Sequence, residues 1–402
     1  MTIKIQYAIK IMKSLFALIF ICLTLVTSQA QSPIQTGDFE LFGDHIFVKL
    51  SVDDSDPLDF ILDTGDGLTV IDLDIAQELK LPMDHKQTTT SAQGSITGAL
   101  IKHNKIELGD FVLEKNIKVY ATDLDHLEIS IGRNIDGIIG YDMLHHHVVR
   151  IDYDQMKLEV YDSGSYPKRG EELSFKFHTA IPVVTASVIL NNDQNLEGNF
   201  FLNTGAGTTL DFNTPFANAN GIIDKTGEHY SYLVKGLGKE ETRHYEGRVK
   251  TLKLGNISYD NVPIGISQVQ SGIQGDKKIS GIIGNKILSR YNILFDYKTH
   301  KIYLEANGRD QGDFLVNCSG LDVQLSTDMS KVLVHQVIAG SQAEAAGIKL
   351  NDEILSINGS DVSELTLIDV ENMLKKPGET VSIKLNSAGT MKEVSLALKS
   401  LL

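Results

Sequence analysis

The chain has 402 residues, 42% of them hydrophobic, with 34 glycines and only 8 prolines. That is ample for two or three domains with real cores, and it argues against a fibrous or disordered protein. The formal charge is −15 and no basic patch or arm stands out, which speaks against nucleic acid as a partner.

The N-terminus reads as a targeting segment. Lys4, Lys10 and Lys13 precede an uncharged, mostly apolar run, "SLFALIFICLTLVT" (residues 14–27), and "SQA" places small residues at Ser28 and Ala30. This is the layout of a signal peptide, with cleavage expected after Ala30 and a periplasmic or secreted mature chain. Fourteen residues reach about 21 Å as a helix, short of a hydrocarbon core of roughly 30 Å, so no stable membrane span is expected after cleavage. Cys22 does not make a lipoprotein site, because Ile21 stands where a small residue is needed. Loss of the leader takes three lysines and no acid, leaving −18, and leaves Cys318 without an internal disulfide partner. Cys318 is read as a small buried hydrophobe rather than a nucleophile.

The body of the chain contains a duplication. "FILDTGDGLTVID" (residues 60–72) aligns without a gap on "FFLNTGAGTTLDF" (residues 200–212), with Asp63 facing Asn203. "IDGIIGYDMLHHHVVRIDYDQMKLEVY" (residues 135–161) matches "ISGIIGNKILSRYNILFDYKTHKIYLE" (residues 279–305). Asp63 lies 74 residues before Gly137 and Asn203 lies 78 before Gly281, so two landmarks recur at nearly one spacing. Each copy opens on a strand-like segment and closes on alternating Val, Ile, Tyr and Phe at period two, the pattern of half-buried strands. Short helices are expected at "DIAQELK" (residues 74–80) and "YDMLHH" (residues 141–146). Polar linkers follow each copy, at residues 162–172 and 306–313.

The last segment has another grammar. "KVLVHQVIAGSQAEAAGIKLNDEILSINGSDV" (residues 331–362) predicts a strand, a short helix, a glycine stop and a second strand ending in an Asn358-Gly359 turn. An amphipathic helix at residues 365–376 and a hairpin at residues 379–398 complete it. This segment resembles a PDZ domain. The resemblance implies that "SGLDV", with Ser319, Gly320, Leu321 and Asp322, forms the carboxylate-binding loop and groove strand that would receive a protein C-terminus. The other reading is a closed groove that docks only on the chain's own lobes.

Residues 44–307 resemble the retropepsin-like and pepsin-like aspartic peptidases, in a form with two fused lobes. An apolar strand runs into Asp63-Thr64-Gly65 and again into Asn203-Thr204-Gly205. In that family the glycine lets the chain reverse and the threonine braces the loop. The family's packing segment corresponds to Ile138-Ile139-Gly140 and Ile282-Ile283-Gly284, and mobile flaps to residues 91–100 and 231–241. The implied fold is mainly β, a two-lobed β-barrel-like architecture plus a small α+β PDZ domain. The expected boundaries are a leader at 1–30, lobes at 38–163 and 172–306, and the PDZ domain at 314–402.

The family's mechanism uses two carboxyls that share a proton, one activating water and the other polarising the scissile carbonyl. Here Asn203 replaces the second acid. It can orient water but cannot exchange a proton, and Asp63 is expected to behave more like an ordinary carboxylate. Asp66 is a further acid, read as a replacement proton donor, a selector of basic substrate side chains, or a solvated loop residue. The resemblance implies an exported endopeptidase acting on peptides or unfolded protein without a cofactor. The alternative is a degenerate, non-catalytic peptide binder. "HHH" (residues 145–147) suggests a metal, but consecutive helical residues point about 100° apart, and in a strand only the outer two share a face, so no metal site is expected. Asp72 and Asp74 are read as capping acids for the helix that follows them.

Overall fold

The computed structural model describes residues 32–91, 94–309 and 312–402. The leader, Cys22 and the cleavage point after Ala30 lie outside the described residues, as do residues 92–93 of the first flap and 310–311 of the second linker.

The molecule is mainly β, and the strands among the described residues gather in sheets of thirteen, eight and six. Each lobe carries the same crossed arrangement. In the first, Leu58–Leu62 runs parallel to Gly137–Ile139, which also pairs antiparallel with Thr69–Asp72. In the second, Asn195–Leu202 runs parallel to Gly281–Ile283, which pairs antiparallel with Leu210–Phe212. The short central strand is therefore buried on both faces, as its uninterrupted "GII" composition requires. Burial of Phe60, Leu62, Ile139, Phe200, Leu202 and Ile283 within one continuous core fixes both turns from behind.

The terminal hairpin of each copy joins the lobes. Val148–Asp152 pairs antiparallel with Tyr291–Asp296, in the register Ile151 to Ile293 and Val149 to Phe295. Arg150 holds this seam electrostatically, within 2.5 Å of Asp152 and 3.0 Å of both Glu159 and Glu305. Tyr153 donates its hydroxyl to Asn285 Oδ1 at 2.7 Å, and Asn285 Nδ2 donates to the Asp44 carbonyl at 2.8 Å. The two lobes thus meet through a sheet and a buried polar network, which holds their spacing.

Local chemistry explains the helices. Asp72 caps Leu73–Glu78 by accepting from the Asp74 N–H at 2.8 Å, and also receives the Leu124 N–H at 3.1 Å. The second expected helix is shorter, Tyr141–Leu144, with His145 as its C-cap. Helices at Asp125–Ile131 and Thr214–Asn220 were not expected from the sequence. The end of the first linker forms a strand, Glu171–Ser174, along Lys301–Ala306.

The C-terminal sheet follows the expected order, with Val332–Val337, Glu353–Ile357, the helix Leu367–Leu374 and the hairpin Thr380–Ser387 with Thr390–Ala397. Thr366 and Asp369 form a reciprocal capping box on that helix. Cys318 is free and buried in this domain's core.

Candidate active site

The two duplicated turns face each other across the seam and exchange hydrogen bonds symmetrically. Thr64 Oγ1 donates to the Leu202 carbonyl at 2.8 Å, and Thr204 Oγ1 donates to the Leu62 carbonyl at 2.8 Å. Each hydroxyl also accepts the other threonine's backbone N–H at 3.1 Å. Both threonines are buried. Asp63 N–H donates to Ile139 O at 2.8 Å, and Asn203 N–H to Ile283 O at 3.0 Å. Gly140 and Gly284 stand directly behind. A Cβ on Gly140 would lie 2.1 Å from Asp63 O and 2.3 Å from Asp66 O, and one on Gly284 would lie 2.4 Å from Thr208 O. The strand, turn and packing glycine therefore form one unit in each lobe, and side-chain volume is excluded at the glycine.

The side chains at 63 and 203 each reach over the opposite lobe's glycine. A Cβ on Gly205 would come within 2.3 Å of Asp63 Oδ2, and a Cβ on Gly65 within 2.1 Å of Asn203 Nδ2. Asp63 Oδ1 accepts the Gly65 N–H at 2.7 Å. Asn203 Oδ1 accepts the N–H groups of Gly205 at 2.7 Å and Ala206 at 3.0 Å. With its oxygen held by two donors, Asn203 presents only its NH₂ toward the shared space. Burial pushes the Asp63 carboxyl up to about 6, partly opposed by the Gly65 and Gly205 N–H groups. Asp63 is thus harder to ionise than the ordinary carboxylate expected from the sequence, although it is still mainly charged at neutral pH.

Asp66 is not a solvated loop acid. Its N–H donates to Asp63 O and its carbonyl accepts from the Tyr141 N–H, each at 3.0 Å, which tucks the residue against the packing segment. Its Oδ1 accepts the Leu68 N–H at 2.9 Å, while Oδ2 is buried with no hydrogen-bond partner. Burial, reinforced by the Asp63 charge, pushes this carboxyl up to about 8. Both acids of this turn are therefore harder to ionise than an ordinary carboxyl, Asp66 more so than Asp63.

A cleft of about 900 Å³ opens over this pair. Ser91 and Ile96 of the expected first flap, with Thr89 and Thr90 just before it, line one part, and Tyr232 to Leu237 of the second flap another. The PDZ domain supplies a third wall through Asp322, Val323, Gln324 and Lys375. The second flap is fastened to that domain. Leu233 N–H donates to Gln336 Oε1 at 2.9 Å, Lys235 Nζ to Gln324 Oε1 at 2.8 Å, and His335 lies 3.0 Å from Glu241. Its far side reaches the first lobe, where Lys239 Nζ meets Asp123 at 2.6 Å and His126 Nε2 meets the Gly236 carbonyl at 3.0 Å.

The expected carboxylate loop already has its donors satisfied. Asn317 Oδ1 accepts the N–H groups of Ser319 at 3.1 Å and Gly320 at 2.8 Å, and Ser319 Oγ accepts that of Leu321 at 3.0 Å. The groove strand Leu321–Leu325 packs against the first-lobe helix Asp125–Ile131. Beyond that helix, Gly132 abuts Leu367 so closely that a Cβ would lie 2.6 Å from the Leu367 Cβ. The first-lobe helix and the loop's own side chains thus occupy part of what a peptide terminus would use.

Sequence reasoning missed two residues of the cleft wall. His45 Nε2 would lie 3.8 Å from a Cβ on Gly207 in the second turn, and burial holds its imidazole below the usual range. Lys286, two residues past Gly284, faces Asp44, Glu246, Glu371 and Asp211; burial opposes its charge, but these acids prevail and raise it. No local motif marks either residue, because their neighbours arrive from distant strands. The histidine run also departs from expectation. The helix ends at Leu144, so the chain bends at His145, and the rings of His145 and His146 approach to 3.7 Å between centroids, both beside Glu114. The 100° helical spacing does not apply where the helix has stopped.

Two stretches of the chain match known families. Residues 48–143 match the family described as aspartyl protease, and residues 313–386 match the PDZ domain family. The carboxy-terminal processing protease CtpA of Bacillus subtilis is 26% identical over 155 residues, covering 37% of this chain and 32% of that protein. CtpB of the same organism is 33% identical over 81 residues, covering 20% of this chain and 17% of that protein. The chain therefore spans about a third or less of the length of these relatives. Among solved structures, an aspartic proteinase from Irpex lacteus aligns over 68% of this chain and 97% of its own, at 12% identity and a TM-score of 0.43.

Proposed function

We propose that the chain is an exported endopeptidase that hydrolyses peptide bonds of extended polypeptide at the Asp63–Asn203 seam. The observation that carries this reading is that Asp63 and Asn203 each reach over the opposite turn's glycine, in a cleft lined by residues of both flap hairpins. The aspartyl protease match to residues 48–143 and the protease relatives support it.

In this mechanism Asp63 is the base. Water held by the Asp63 carboxylate and the Asn203 NH₂ attacks the scissile carbonyl carbon, and its proton passes to Asp63. Asn203 cannot take or return a proton. Asp66 lines the cleft with its unpartnered oxygen turned away from solvent; rotated toward the substrate, it gives its proton to the carbonyl oxygen as the tetrahedral intermediate forms. On collapse the C–N bond breaks, Asp63 protonates the leaving amine, and a hydroxyl of the intermediate restores the proton to Asp66. No cofactor enters. The PDZ domain acts as the third wall of the cleft and as the anchor of the second flap.

The test is turnover of a diverse peptide library across the pH range by wild type, Asp63→Ala and Asp66→Asn. Losing a general acid or base costs about 10²- to 10⁴-fold, so both variants are expected to fall by at least that much. Equal cleavage by wild type and Asp63→Ala removes the proposal. A second reading rests on the locked Asn203 amide: the cleft binds peptides without cutting them. It predicts peptide binding in wild type, no turnover at any pH, and turnover only after Asn203→Asp.

A further inference from the structure

Glu114 lies on the strand Phe111–Thr122, and His145 and His146 follow the helix Tyr141–Leu144. None of the three lines the cleft. One ligand atom from each falls within 4.8 Å of the other two. His145 Nε2 is 3.4 Å from Glu114 Oε2, and His146 Nδ1 is 2.5 Å from the same oxygen.

The donor chemistry suits a cation better than it suits an ordinary ion pair. His145 Nδ1 sits 3.1 Å from the Tyr141 carbonyl. A carbonyl only accepts, so that nitrogen carries the proton and Nε2 turns a lone pair toward Glu114. Fixing one ring nitrogen on a carbonyl is how metal-binding histidines are commonly oriented. The His145 ring is further held by stacking on Tyr141, at 4.6 Å and 11°. Glu114 Oε2 is buried and receives no aligned hydrogen bond, an unusual state for a carboxylate oxygen with two histidines beside it.

We infer that Glu114, His145 and His146 form a binding site for a zinc-like divalent cation, with the fourth position open to solvent. Two imidazole nitrogens and one carboxylate oxygen favour a borderline ion such as Zn²⁺, whereas Mg²⁺ and Ca²⁺ prefer oxygen alone. Bonds of about 2.1 Å in a tetrahedron set ligands roughly 3.4 Å apart, the spacing already present between His145 and Glu114. The His146 nitrogen must withdraw by under about an ångström, and its side chain, 59% exposed, is free to do so. The ion would staple the strand to the helix that follows Gly140. Asp142 of that helix accepts from Thr69 Oγ1 at 2.6 Å, which places the staple behind the first turn without touching the reacting residues.

The test is calorimetric titration of the chelator-treated, full chain with zinc chloride, followed by thermal unfolding. Wild type is expected to take up one saturable equivalent and to unfold at a higher temperature with zinc than without. His146→Ala, a surface change that leaves folding intact, and Glu114→Gln should each weaken binding by more than the 10- to 100-fold typical of losing an outer-shell partner. Circular dichroism of both variants checks that they fold. Absence of a saturable equivalent in wild type overturns the site. Unchanged affinity in His146→Ala does so equally, because the zinc would then be held by other histidines. None of these readouts depends on peptidase activity.

Discussion

The Asn203 side chain occupies the space that a side chain on Gly65 would need: a Cβ there would lie 2.1 Å from Nδ2. The amide reaches that position because the Gly205 and Ala206 N–H groups hold its oxygen. A carboxylate of the same shape would keep both bonds, so Asn203→Asp should preserve the geometry and change the proton count. Two acids at this range share one proton, and the first loss from the pair becomes easier than from a lone buried Asp63. The acid limb of the pH–rate profile should therefore move below pH 6 and turnover should rise. An unmoved acid limb in Asn203→Asp would show that residues 63 and 203 do not titrate together.

For wild type the two raised carboxyls predict a neutral optimum. Asp63 must be ionised, which sets an acid limb near 6, and Asp66 must stay protonated, which sets an alkaline limb near 8. These limbs belong to the interacting pair rather than to either residue alone. Steady-state rates on one fluorogenic peptide between pH 4 and pH 10 check the bell, and Asp66→Asn should lose its alkaline side. Persistence of that limb in the variant assigns it to another group.

Much of this site was legible because it is written in short, local stretches. The repeated turn, the "GIIG" segment and the terminal hairpins each carry their own period and glycine placement, and the duplication doubles every signal. The Asp66 environment was not legible. Its state depends on a backbone bond to Tyr141, 75 residues on, and on burial that a polar "TGDG" string does not advertise. Between an open PDZ groove and one docked on the chain's own lobes the sequence could not choose, since the contacts that bear on it come from Asn317 and from a helix nearly 200 residues away. That helix, Asp125–Ile131, sets only Leu127 and Ile131 against the core and buries neither fully, so its apolar stripe is too short to stand out in the sequence.

Asp66 also predicts a pH-dependent stability. Its carboxyl is raised from the ordinary range to about 8, so the fold keeps a proton that the unfolded chain releases. Stability from this group is complete below about pH 4, falls as pH rises toward 8, and is constant above that. Asp66→Asn removes the penalty. The variant should match wild type near pH 4 and exceed it at pH 8, by on the order of 4 kcal/mol. Urea melts at both pH values measure this, and equal differences at pH 4 and pH 8 would contradict it.

Gly140 predicts a structural loss that propagates to the turn. An added methyl would meet the backbone carbonyls of Asp63 and Asp66, which cannot swing aside as a side-chain end could. Overpacking of this kind typically costs about 1–3 kcal/mol, and Gly140→Ala should fall at the upper end while also lowering turnover. Gly238→Ala is the control, because nothing lies within 4 Å of a Cβ there. Chemical denaturation of the two variants should separate them clearly, and similar stabilities would mean that the packing segment yields more readily than its carbonyl contacts imply.

The PDZ domain gives the last prediction. A peptide terminus would need the N–H groups of Ser319, Gly320 and Leu321, and each is held by Asn317 or Ser319. Asn317 Nδ2 also donates to the Leu321 carbonyl at 2.8 Å, so one side chain ties both ends of the loop. Wild type should therefore bind a fluorescent peptide acid no better than its C-terminal amide, as measured by anisotropy. Asn317→Ala frees two backbone donors and removes four hydrogen bonds, each worth about 1 kcal/mol. A preference for the free acid should then emerge, limited by the helix Asp125–Ile131 that still covers the strand. A tenfold or larger acid preference already present in wild type would mean that the loop opens readily, and that the domain captures chain termini while also walling the cleft.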